Sequence, residues 1–387
     1  MAFATSDILA CRQVYPALRG KTYLNYGGQG PLCEMAWQVL QEGYDHIQTQ
    51  GPFASRVFPW ISCQLQTLRQ SLALLLGTTP ATIALTDSVT MGCNIAMWGL
   101  NWQPGDHLLI SNCEHPGVLA IAAQLEHRLG ITVDIVPLWP YVENVASHLE
   151  GYLHPRTRLL VISHLLWNSG QILPLKEIVD RCHHNGTQVL ADGAQSVGMI
   201  PLDLPGLGVD YYAFTGHKWC CGPGGLGGMY IHPDQIDQLE PTFVGWRGIH
   251  QNRQGLPAGW KEDASRYEVA TIAFPLIPAL TAALEVHQGW GGVGDRHQRI
   301  CELSDYLWQN LQQLPGITCL SPVPPPSGLI SFQLADGRHG ELVEFLEAEN
   351  VLVREILNPP AVRACVHYFS LRQECDLFLE RVASFLA

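Results

Sequence analysis

Short apolar runs alternate with amphipathic segments through the middle of the chain. From about residue 80, runs such as "TIAL", "HLLIS", "RLLVIS" and "TQVLAD" are separated by helix-like segments such as "PGVLAIAAQLEHRLG" and "LKEIVDRCHHNG". Apolar strands that alternate with amphipathic helices are typical of β-α-β units, which build a parallel sheet. The pattern therefore predicts an α/β fold with a mostly parallel sheet, in which "GGLGGMYIH" is the last strand, antiparallel and at an edge.

The pattern changes after about residue 260. Two helical stretches, "LIPALTAALEVHQGW" and "RICELSDYLWQNLQQL", precede strand-like "LISFQLAD" and helix-like "ELVEFLEAEN". Two short strands, "VLVREIL" and "AVRACVHYFS", and a final helix complete the chain. This order is typical of an α+β unit. The sequence therefore predicts a large domain over residues 16–260 and a smaller α+β domain formed by residues 1–15 and 261–387.

Polar residues follow the apolar runs of the first part. In an open parallel sheet, ligands bind at the carboxyl ends of the strands, so the residues after each run are the informative ones. The residues that we expect to meet at this edge are Thr86 to Thr90, Glu114, His115, Asn168, Asp192 to Gln195 and Thr215 to Lys218.

Composition and charge exclude several classes of protein. Hydrophobic residues make up 47% of the 387 residues and charged residues 15%, which indicates a large core rather than a disordered chain. The net charge of −13 argues against wholesale binding of nucleic acid or anionic membranes. We find no signal peptide, and no apolar segment reaches the roughly 18 residues of a membrane span. The twelve cysteines contain no CxxC pair, so we predict no metal site and expect buried free thiols in a reducing cytoplasm.

Asp192 and Lys218 carry the candidate chemistry. Asp192 ends an apolar strand, and a buried carboxylate needs a cationic partner, which the neighbouring sequence does not supply. A pyridinium nitrogen would be a suitable partner, although a turn or cap aspartate is the ordinary alternative. Lys218 follows the next apolar run in "TGHK", beside Thr215 and His217, whose side chains can bind a phosphate. Burial and nearby cations would free its amine for Schiff-base chemistry, whereas the ordinary alternative is a solvated loop lysine.

Two further segments fit an anionic, aromatic ligand. "TDSVTMGCNIAMWGL" runs from a strand into a predicted helix, with Ser88 or Thr90 near its start, and helix N-termini bind phosphate. His115 follows another strand in "CEHPG". Its imidazole either stacks on an aromatic ring or caps the following helix.

These motifs together resemble the class V aminotransferase group of fold-type I pyridoxal-phosphate enzymes. The sequence is most similar to the branch that contains cysteine desulfurases and L-cysteine/cystine C–S lyases, from "YLNYGG" at residue 23 to "VHYFS" at residue 370. The most specific parts are "ADGAQSVG" and "FTGHKWCCGPGGLGGMYI". The resemblance implies a large domain that binds pyridoxal phosphate on a mostly parallel seven-stranded sheet flanked by helices, plus the smaller α+β domain.

The resemblance also implies roles for individual residues at the cofactor. Lys218 would form the Schiff base, Asp192 would pair with the pyridine nitrogen, and His115 would stack on the ring. Gln195 would donate to the phenolate oxygen, and Asn168 would lie near the cofactor and the substrate carboxylate. The phosphate would be held by Val89, Thr90, Thr215 and His217.

A further segment, "RYEVAT", is similar to the family's R-F-E-x-G-T segment. In the family its threonine, here Thr271, reaches the phosphate of the other subunit. The resemblance therefore implies a homodimer with shared active sites. Ala270 stands where the family has glycine.

The sequence departs from the desulfurases where they carry a sulfur-accepting cysteine. In "VLVREILNPPAVRACVHYFS", Arg354 and Arg363 match two family arginines, but "EILNPP" between them has no cysteine. We interpret Cys365 as a packed thiol. The other desulfurase type has its cysteine near residues 320–330, where this chain has "LSPVPPPSGLI" after Cys319, which is predicted to lie in a strand. Transfer of sulfur to an enzyme cysteine is therefore not expected.

These observations predict a lyase that eliminates sulfur from L-cystine and L-cysteine. The products would be pyruvate, ammonia and a persulfide or sulfide, possible sulfur donors for iron–sulfur clusters through an acceptor protein. Arg363 would hold the α-carboxylate, and Arg354 the far carboxylate of cystine. The alternatives are a desulfurase that releases alanine through Cys365 or Cys319, another reaction of the fold such as kynurenine hydrolysis or transamination, and a non-catalytic metal-binding scaffold.

Overall fold

A computed structural model describes residues 5–387. Its helices are α1 (Thr5–Gln13), α2 (Glu34–Gln50), α3 (Val57–Leu76), α4 (Val89–Gly99), α5 (Pro116–Leu129), α6 (Val145–Glu150), α7 (Leu175–His184), α8 (Leu204–Leu207), α9 (Leu276–Gly289), α10 (Val293–Leu311), α11 (His339–Ala348) and α12 (Arg372–Leu386). Its strands are β1 (Thr22–Tyr23), β2 (Ile83–Thr86), β3 (His107–Ser111), β4 (Thr132–Val136), β5 (Thr157–Ser163), β6 (Gln188–Asp192), β7 (Tyr211–Thr215), β8 (Gly227–Ile231), β9 (Ile249–Gln251), β10 (Pro257–Trp260), β11 (Ile317–Cys319), β12 (Leu329–Leu334), β13 (Val351–Leu352), β14 (Arg354–Leu357) and β15 (Pro360–Cys365).

A seven-stranded sheet with the order β2-β8-β7-β6-β5-β3-β4 forms the centre of the molecule. Strand β8 is antiparallel to both of its neighbours, and the strands from β7 to β4 pair in parallel. The prediction of a mostly parallel α/β sheet is confirmed. The predicted edge position of β8 is wrong, because β2 pairs along its outer side.

Helices cover both faces of this sheet. Leu108 and Ile110 pack towards α4 and α5, whereas Leu109 between them packs into the core that α3, α6, α7 and α9 complete. Successive side chains of a strand point to opposite faces, so a strand that is buried on both faces must be apolar at every position. This explains why the apolar runs in the sequence are continuous and do not alternate with polar residues.

The chain after α10 folds on a second, antiparallel sheet with the order β11-β12-β15-β14. Helices α10, α11 and α12 pack against it, as expected for the smaller α+β unit. The division of the chain near residue 260 stays a prediction. Helix α9 packs against α2 and α3, and its Ile277, Leu280 and Leu284 lie in the core of the large sheet. The packing therefore favours grouping this helix with the large sheet.

Gly30 lies against the loop that follows β7. Its N–H donates to the His217 carbonyl over 2.7 Å, and a Cβ at this position would lie 2.2 Å from the carbonyl oxygen of Lys218. Because that oxygen belongs to the backbone, the loop itself would have to move. We expect Gly30→Ala to lower the free energy of unfolding by about 2 kcal/mol, measured by urea denaturation.

Gly224→Ala is the matched control, since nothing lies within 4 Å of a Cβ built at Gly224. Equal stability of the two variants would contradict this explanation.

Among the helices of residues 5–387, none combines the length and the apolar character that a membrane span requires.

Candidate active site

A cavity of about 590 Å³ lies where the carboxyl ends of the large-sheet strands face the β14–β15 pair. We call it the strand-end cavity. Gly27 and Gly28 from the N-terminal segment also line it. Of the residues predicted to form the site, it brings together Val89, Thr90, His115, Asp192, Gln195, His217, Lys218, Arg354 and Arg363.

Asp192 ends β6 at the floor of the cavity. The residue is 4% exposed, and one carboxylate oxygen accepts a 2.8 Å hydrogen bond from the N–H of Ala194. Burial raises the pKa of Asp192, while that hydrogen bond, Lys218 and His115 oppose the rise. No ion pair among residues 5–387 includes this carboxylate, so it suits a cation supplied by a ligand.

Lys218 follows β7 and is only partly exposed, at the wall of the cavity. Burial lowers the pKa of its amine to about 8; Asp192 opposes the shift, and the positive charges of Arg363 and Arg354 add to it. A solvated lysine has a pKa near 10.4. At neutral pH, the unprotonated fraction of Lys218 is therefore far larger than that of a solvated lysine. The structure therefore favours a reactive amine over a solvated loop charge.

The first turn of α4 supplies a site for an anion. Ser88 caps the helix, and its hydroxyl accepts from the N–H of Met91 over 3.2 Å. Val89 and Thr90 occupy the next two positions, where backbone N–H groups have no partner within the helix, and both residues line the cavity. A phosphate fits such a helix N-terminus through these N–H groups and the helix dipole.

His217 lines the cavity, and its Nδ1 atom lies 2.6 Å from the Thr215 hydroxyl. Thr215 is buried behind it, 1% exposed, and does not line the cavity. The contact fixes the His217 ring, which leaves Nε2 for a ligand. Direct contact of Thr215 with a phosphate stays a prediction.

His115 caps the following helix, and its stacking on an aromatic ring stays a prediction. Its Nδ1 accepts from the N–H of Gly117 over 3.2 Å and caps α5, which begins with Pro116 at its first position. The ring is exposed and lines the cavity, so one face is available to an aromatic ligand. Burial of part of the ring and the charge of Lys218 lower the pKa of His115, which favours the neutral imidazole.

Gln195 is held at both ends of its amide. Its Nε2 donates to the Gly27 carbonyl over 2.9 Å, and its Oε1 accepts from the indole N–H of Trp219 over 2.8 Å. The second hydrogen on Nε2 remains for an acceptor in the cavity. This is compatible with the implied bond to a phenolate oxygen.

Arg354 and Arg363 lie directly opposite each other on β14 and β15. Arg363 is 3% exposed, its Nη1 donates to the Trp167 carbonyl over 3.0 Å, and burial lowers the pKa of its guanidinium. Arg354 is exposed to the cavity. Like charges opposite each other in a sheet are destabilising, and none of the ion pairs among the described residues neutralises either arginine. The pair therefore suits an anionic ligand.

The cysteines lie outside the cavity. None of its lining residues is a cysteine. Cys365 is fully buried beside Arg363, and burial raises the pKa of its thiol. Cys319 lies in β11, and burial raises its pKa to about 12. Neither thiol is accessible or ionised, so neither is placed to attack a substrate sulfur.

Besides Thr215, the predicted residues Asn168 and Thr271 do not line the cavity. Asn168 is 2% exposed, and its Oδ1 has no hydrogen-bond partner among residues 5–387. Thr271 is exposed and lines a different cavity together with Thr86, Asp87 and Val269. Their roles at the cofactor stay predictions.

Glu114 lines the cavity, although the sequence assigned it no role. It is 2% exposed, and it accepts from the hydroxyls of Ser111 and Ser163 at 2.6 Å each and from the Ser163 N–H at 2.9 Å. Burial raises the pKa of Glu114 to about 7. These bonds join the ends of β3 and β5 and hold the turn that carries His115. In the sequence, the position of Glu114 directly before His115 was the signal that could have indicated this role.

Comparisons with known proteins show the family of the chain. Residues 22–361 match the family Aminotransferase class-V. Isopenicillin N epimerase of Streptomyces clavuligerus is 28% identical over 371 residues, which cover 91% of this chain and 92% of that protein. A cysteine desulfurase of Escherichia coli O157:H7 is 28% identical over 330 residues, which cover 81% of this chain and 80% of that protein.

Solved structures of one protein, the cystine C–S lyase C-DES, are similar over nearly the whole chain. Its complex with the reaction product cysteine persulfide is 44% identical with a TM-score of 0.93, and the match covers 95% of this chain and 99% of that one. A lysine-to-alanine mutant of C-DES, with glycine covalently linked to the PLP cofactor, is 43% identical with a TM-score of 0.94 over 96% and 98% of the two chains. The chain therefore belongs to the class V aminotransferase family of fold-type I pyridoxal-phosphate enzymes, as its motifs predicted.

Proposed function

We propose that the protein is a pyridoxal-phosphate-dependent C–S lyase that acts on L-cystine and also on L-cysteine. The main observation is that Arg354 and Arg363 face each other beside Lys218 in the strand-end cavity. Among residues 5–387, neither arginine has a carboxylate partner and no cysteine lines the cavity. The likeness to the cystine C–S lyase C-DES supports the same reaction class.

The residues of the strand-end cavity fit pyridoxal phosphate. Asp192 would hold the pyridine nitrogen, because its buried carboxylate forms no ion pair within residues 5–387. His115 would cover the ring, and the α4 N-terminus with His217 would hold the phosphate. When bound, the cofactor supplies an electron sink for the pair of electrons left behind when the Cα–H bond breaks.

Lys218 is placed to move the proton. With a pKa of about 8, its unprotonated amine can accept the Cα proton near neutral pH. The Cβ–S bond then breaks, and the sulfur leaves with the bonding electron pair. Water converts the remaining three-carbon fragment into pyruvate and ammonia. Cystine thus yields cysteine persulfide, cysteine yields sulfide, and no enzyme thiol takes part.

The two arginines would divide the substrate between them. Arg363, buried on the inner strand β15, would hold the α-carboxylate shared by all amino-acid substrates. Arg354, exposed at the opposite position of β14, would hold the distal carboxylate that cystine has and cysteine lacks. Cystine also offers the better leaving group, because the persulfide anion that it releases is a weaker base than the hydrosulfide that cysteine releases.

Product analysis tests the proposed reaction. We would incubate the holoenzyme with cystine and, separately, with cysteine, and quantify pyruvate, ammonia, alanine and released sulfur. Equal amounts of pyruvate and ammonia, formed faster from cystine, are the expected result. Alanine together with a protein-bound persulfide would overturn the proposal and identify a desulfurase.

Arg354→Ala tests the distal carboxylate site. We expect kcat/KM for cystine to fall about 30-fold, roughly the 2 kcal/mol of a charged hydrogen-bonded pair, while kcat/KM for cysteine falls less than about threefold. Arg156→Ala removes a comparably exposed arginine from outside the cavity and should leave both substrates unaffected. Equal losses on cystine and cysteine would remove the case for a second carboxylate site.

The lowered pKa of Lys218 has its own test. Only the unprotonated amine attacks an aldehyde, so the rate at which the apoprotein combines with pyridoxal phosphate should rise with pH up to about 8 and then level off. The visible absorbance of the cofactor reports this rate. Nα-acetyl-lysine in the same buffers is the control, and its rate should keep rising towards a pKa of about 10.4. A protein profile that follows the control would contradict the lowered pKa.

The separate cavity that Thr271 lines supports the proposed homodimer. It holds Thr271 together with exposed Phe243 and Val269, a surface that a second copy of the chain would bury. Sedimentation of the holoenzyme should give a dimer, and a monomer at micromolar concentration would oppose shared sites. The cytoplasmic location and a sulfur-accepting partner in iron–sulfur assembly stay predictions.

A further inference from the structure

A cluster of two histidines and one aspartate lies at the amino ends of the large-sheet strands. His107 begins β3, Asp134 lies in the middle of the edge strand β4, and His154 precedes β5. Strand β3 is five residues long, so the cluster lies roughly 13 Å along the sheet from the strand ends that form the active site. The cluster therefore has no part in the lyase reaction proposed above.

The ligand-capable atoms of the cluster converge. Asp134 Oδ2 lies 3.2 Å from His107 Nε2 and 3.4 Å from His154 Nε2, and all three atoms lie within 4.8 Å of one another. In a tetrahedral site with bonds of about 2.0–2.1 Å, neighbouring ligand atoms are about 3.3–3.4 Å apart. The two separations from the carboxylate therefore match those between ligands of one small divalent ion.

His107 is the residue that orients the cluster. The side chain is 4% exposed, and its Nδ1 lies 2.7 Å from the Thr157 hydroxyl. Such a bond to the second ring nitrogen fixes the orientation of metal-binding histidines. Its Nε2 is buried and has no aligned hydrogen-bond partner among the described residues, although the Asp134 carboxylate is near. A buried nitrogen that lies close to two other ligand atoms and has no aligned hydrogen bond suits a shared ion.

The remaining side of the cluster is open. The Asp134 and His154 side chains are 44% and 57% exposed, so an ion could enter and keep a solvent molecule as its fourth ligand. Two imidazoles and one carboxylate are the donors that zinc and related divalent transition metals prefer over calcium or magnesium. We propose that His107, Asp134 and His154 form a zinc-class metal site that joins the edge strand β4 to β3 and to the start of β5.

Metal titration of the tag-free holoenzyme tests this site. We would titrate Zn²⁺ by calorimetry and Co²⁺ by its visible d–d absorption, which reports tetrahedral coordination. One ion per chain should bind to the wild type and to His184→Ala, which removes an exposed histidine of α7. Asp134→Asn and His154→Ala should each weaken binding at least about tenfold, because even outer-shell changes cost that much.

Thermal unfolding supplies a second readout. Zn²⁺ should raise the Tm of the wild type and of His184→Ala, but not that of Asp134→Asn, since only a chain that binds the ion when folded is stabilised. Absence of Zn²⁺ and Co²⁺ binding to the wild type would overturn the proposal. Wild-type affinity in both cluster variants would overturn it equally. Neither readout uses lyase activity. Failure of the metal-site proposal is therefore distinguishable from failure of the proposed reaction.

Discussion

Lys218→Ala should lower pyruvate formation from cystine by about 10⁴-fold or more. The variant loses the amine that carries the cofactor and the base that takes the Cα proton, and no other lysine lines the strand-end cavity. The two histidines among its described lining residues, His115 and His217, have lowered pKa values and are held by their own hydrogen bonds. We would measure pyruvate in single-turnover and steady-state assays at saturating cystine.

Loss of folding would not explain such a result. Burial lowers the pKa of Lys218, which means that its charge is disfavoured in the folded protein, so its removal should not lower the Tm. Lys176→Ala, which removes an exposed lysine paired with Asp180 on α7, is the control and should keep full activity. Normal turnover by a stable, fully folded Lys218→Ala variant would make the whole mechanism wrong.

The apolar pattern predicted the sheet and its ligand-binding edge because both depend on local order along the chain. A strand buried on two faces has to be apolar throughout, and the polar residue that ends it must lie at the carboxyl edge. Asp192 and Lys218 could therefore be placed in one cavity before any coordinates were known. The predicted cofactor class and family are confirmed by the comparisons.

The features that the sequence left open depend on contacts between distant segments. Strand order cannot be read from apolar runs, so β8 was expected at an edge that β2 in fact covers. The register that sets Arg354 opposite Arg363 depends on the turn between them, and the burial of Cys365 depends on packing against Gly27. Thr215 is the last residue of β7, at the expected edge, yet its hydroxyl contacts His217 behind the cavity wall.

The expected absence of a metal site took no account of such distant contacts and stays a prediction. It rested on cysteine spacing, which detects ligands only when they are neighbours in sequence. His107, Asp134 and His154 come from three separate elements, and only the parallel pairing of β3 with β4 and β5 brings them together. Titration with Zn²⁺ and Co²⁺ tests whether these three residues bind an ion.

Arg363→Ala should lower kcat/KM about 100-fold or more for cystine and cysteine alike. The guanidinium uses one N–H on the Trp167 carbonyl, and its remaining donors can hold a carboxylate bidentately in a buried setting. Since both substrates carry the same α-carboxylate, the loss should be equal on the two and should lie mainly in KM. Steady-state kinetics with each substrate measures this, and it separates Arg363 from Arg354, whose loss should affect cystine selectively.

A merely structural role for Arg363 would give a different result. If the residue only braced β15 against the Trp167 carbonyl, its removal would lower the Tm and reduce kcat without a selective rise in KM. Arg363→Lys keeps the charge but loses the planar fork, so we expect it to recover folding fully and kcat/KM only in part. Full recovery by lysine would show that charge alone suffices and would contradict bidentate binding. An unchanged KM in a stable Arg363→Ala variant would remove Arg363 from the substrate site, and with it the proposal that the facing arginines read the two ends of cystine.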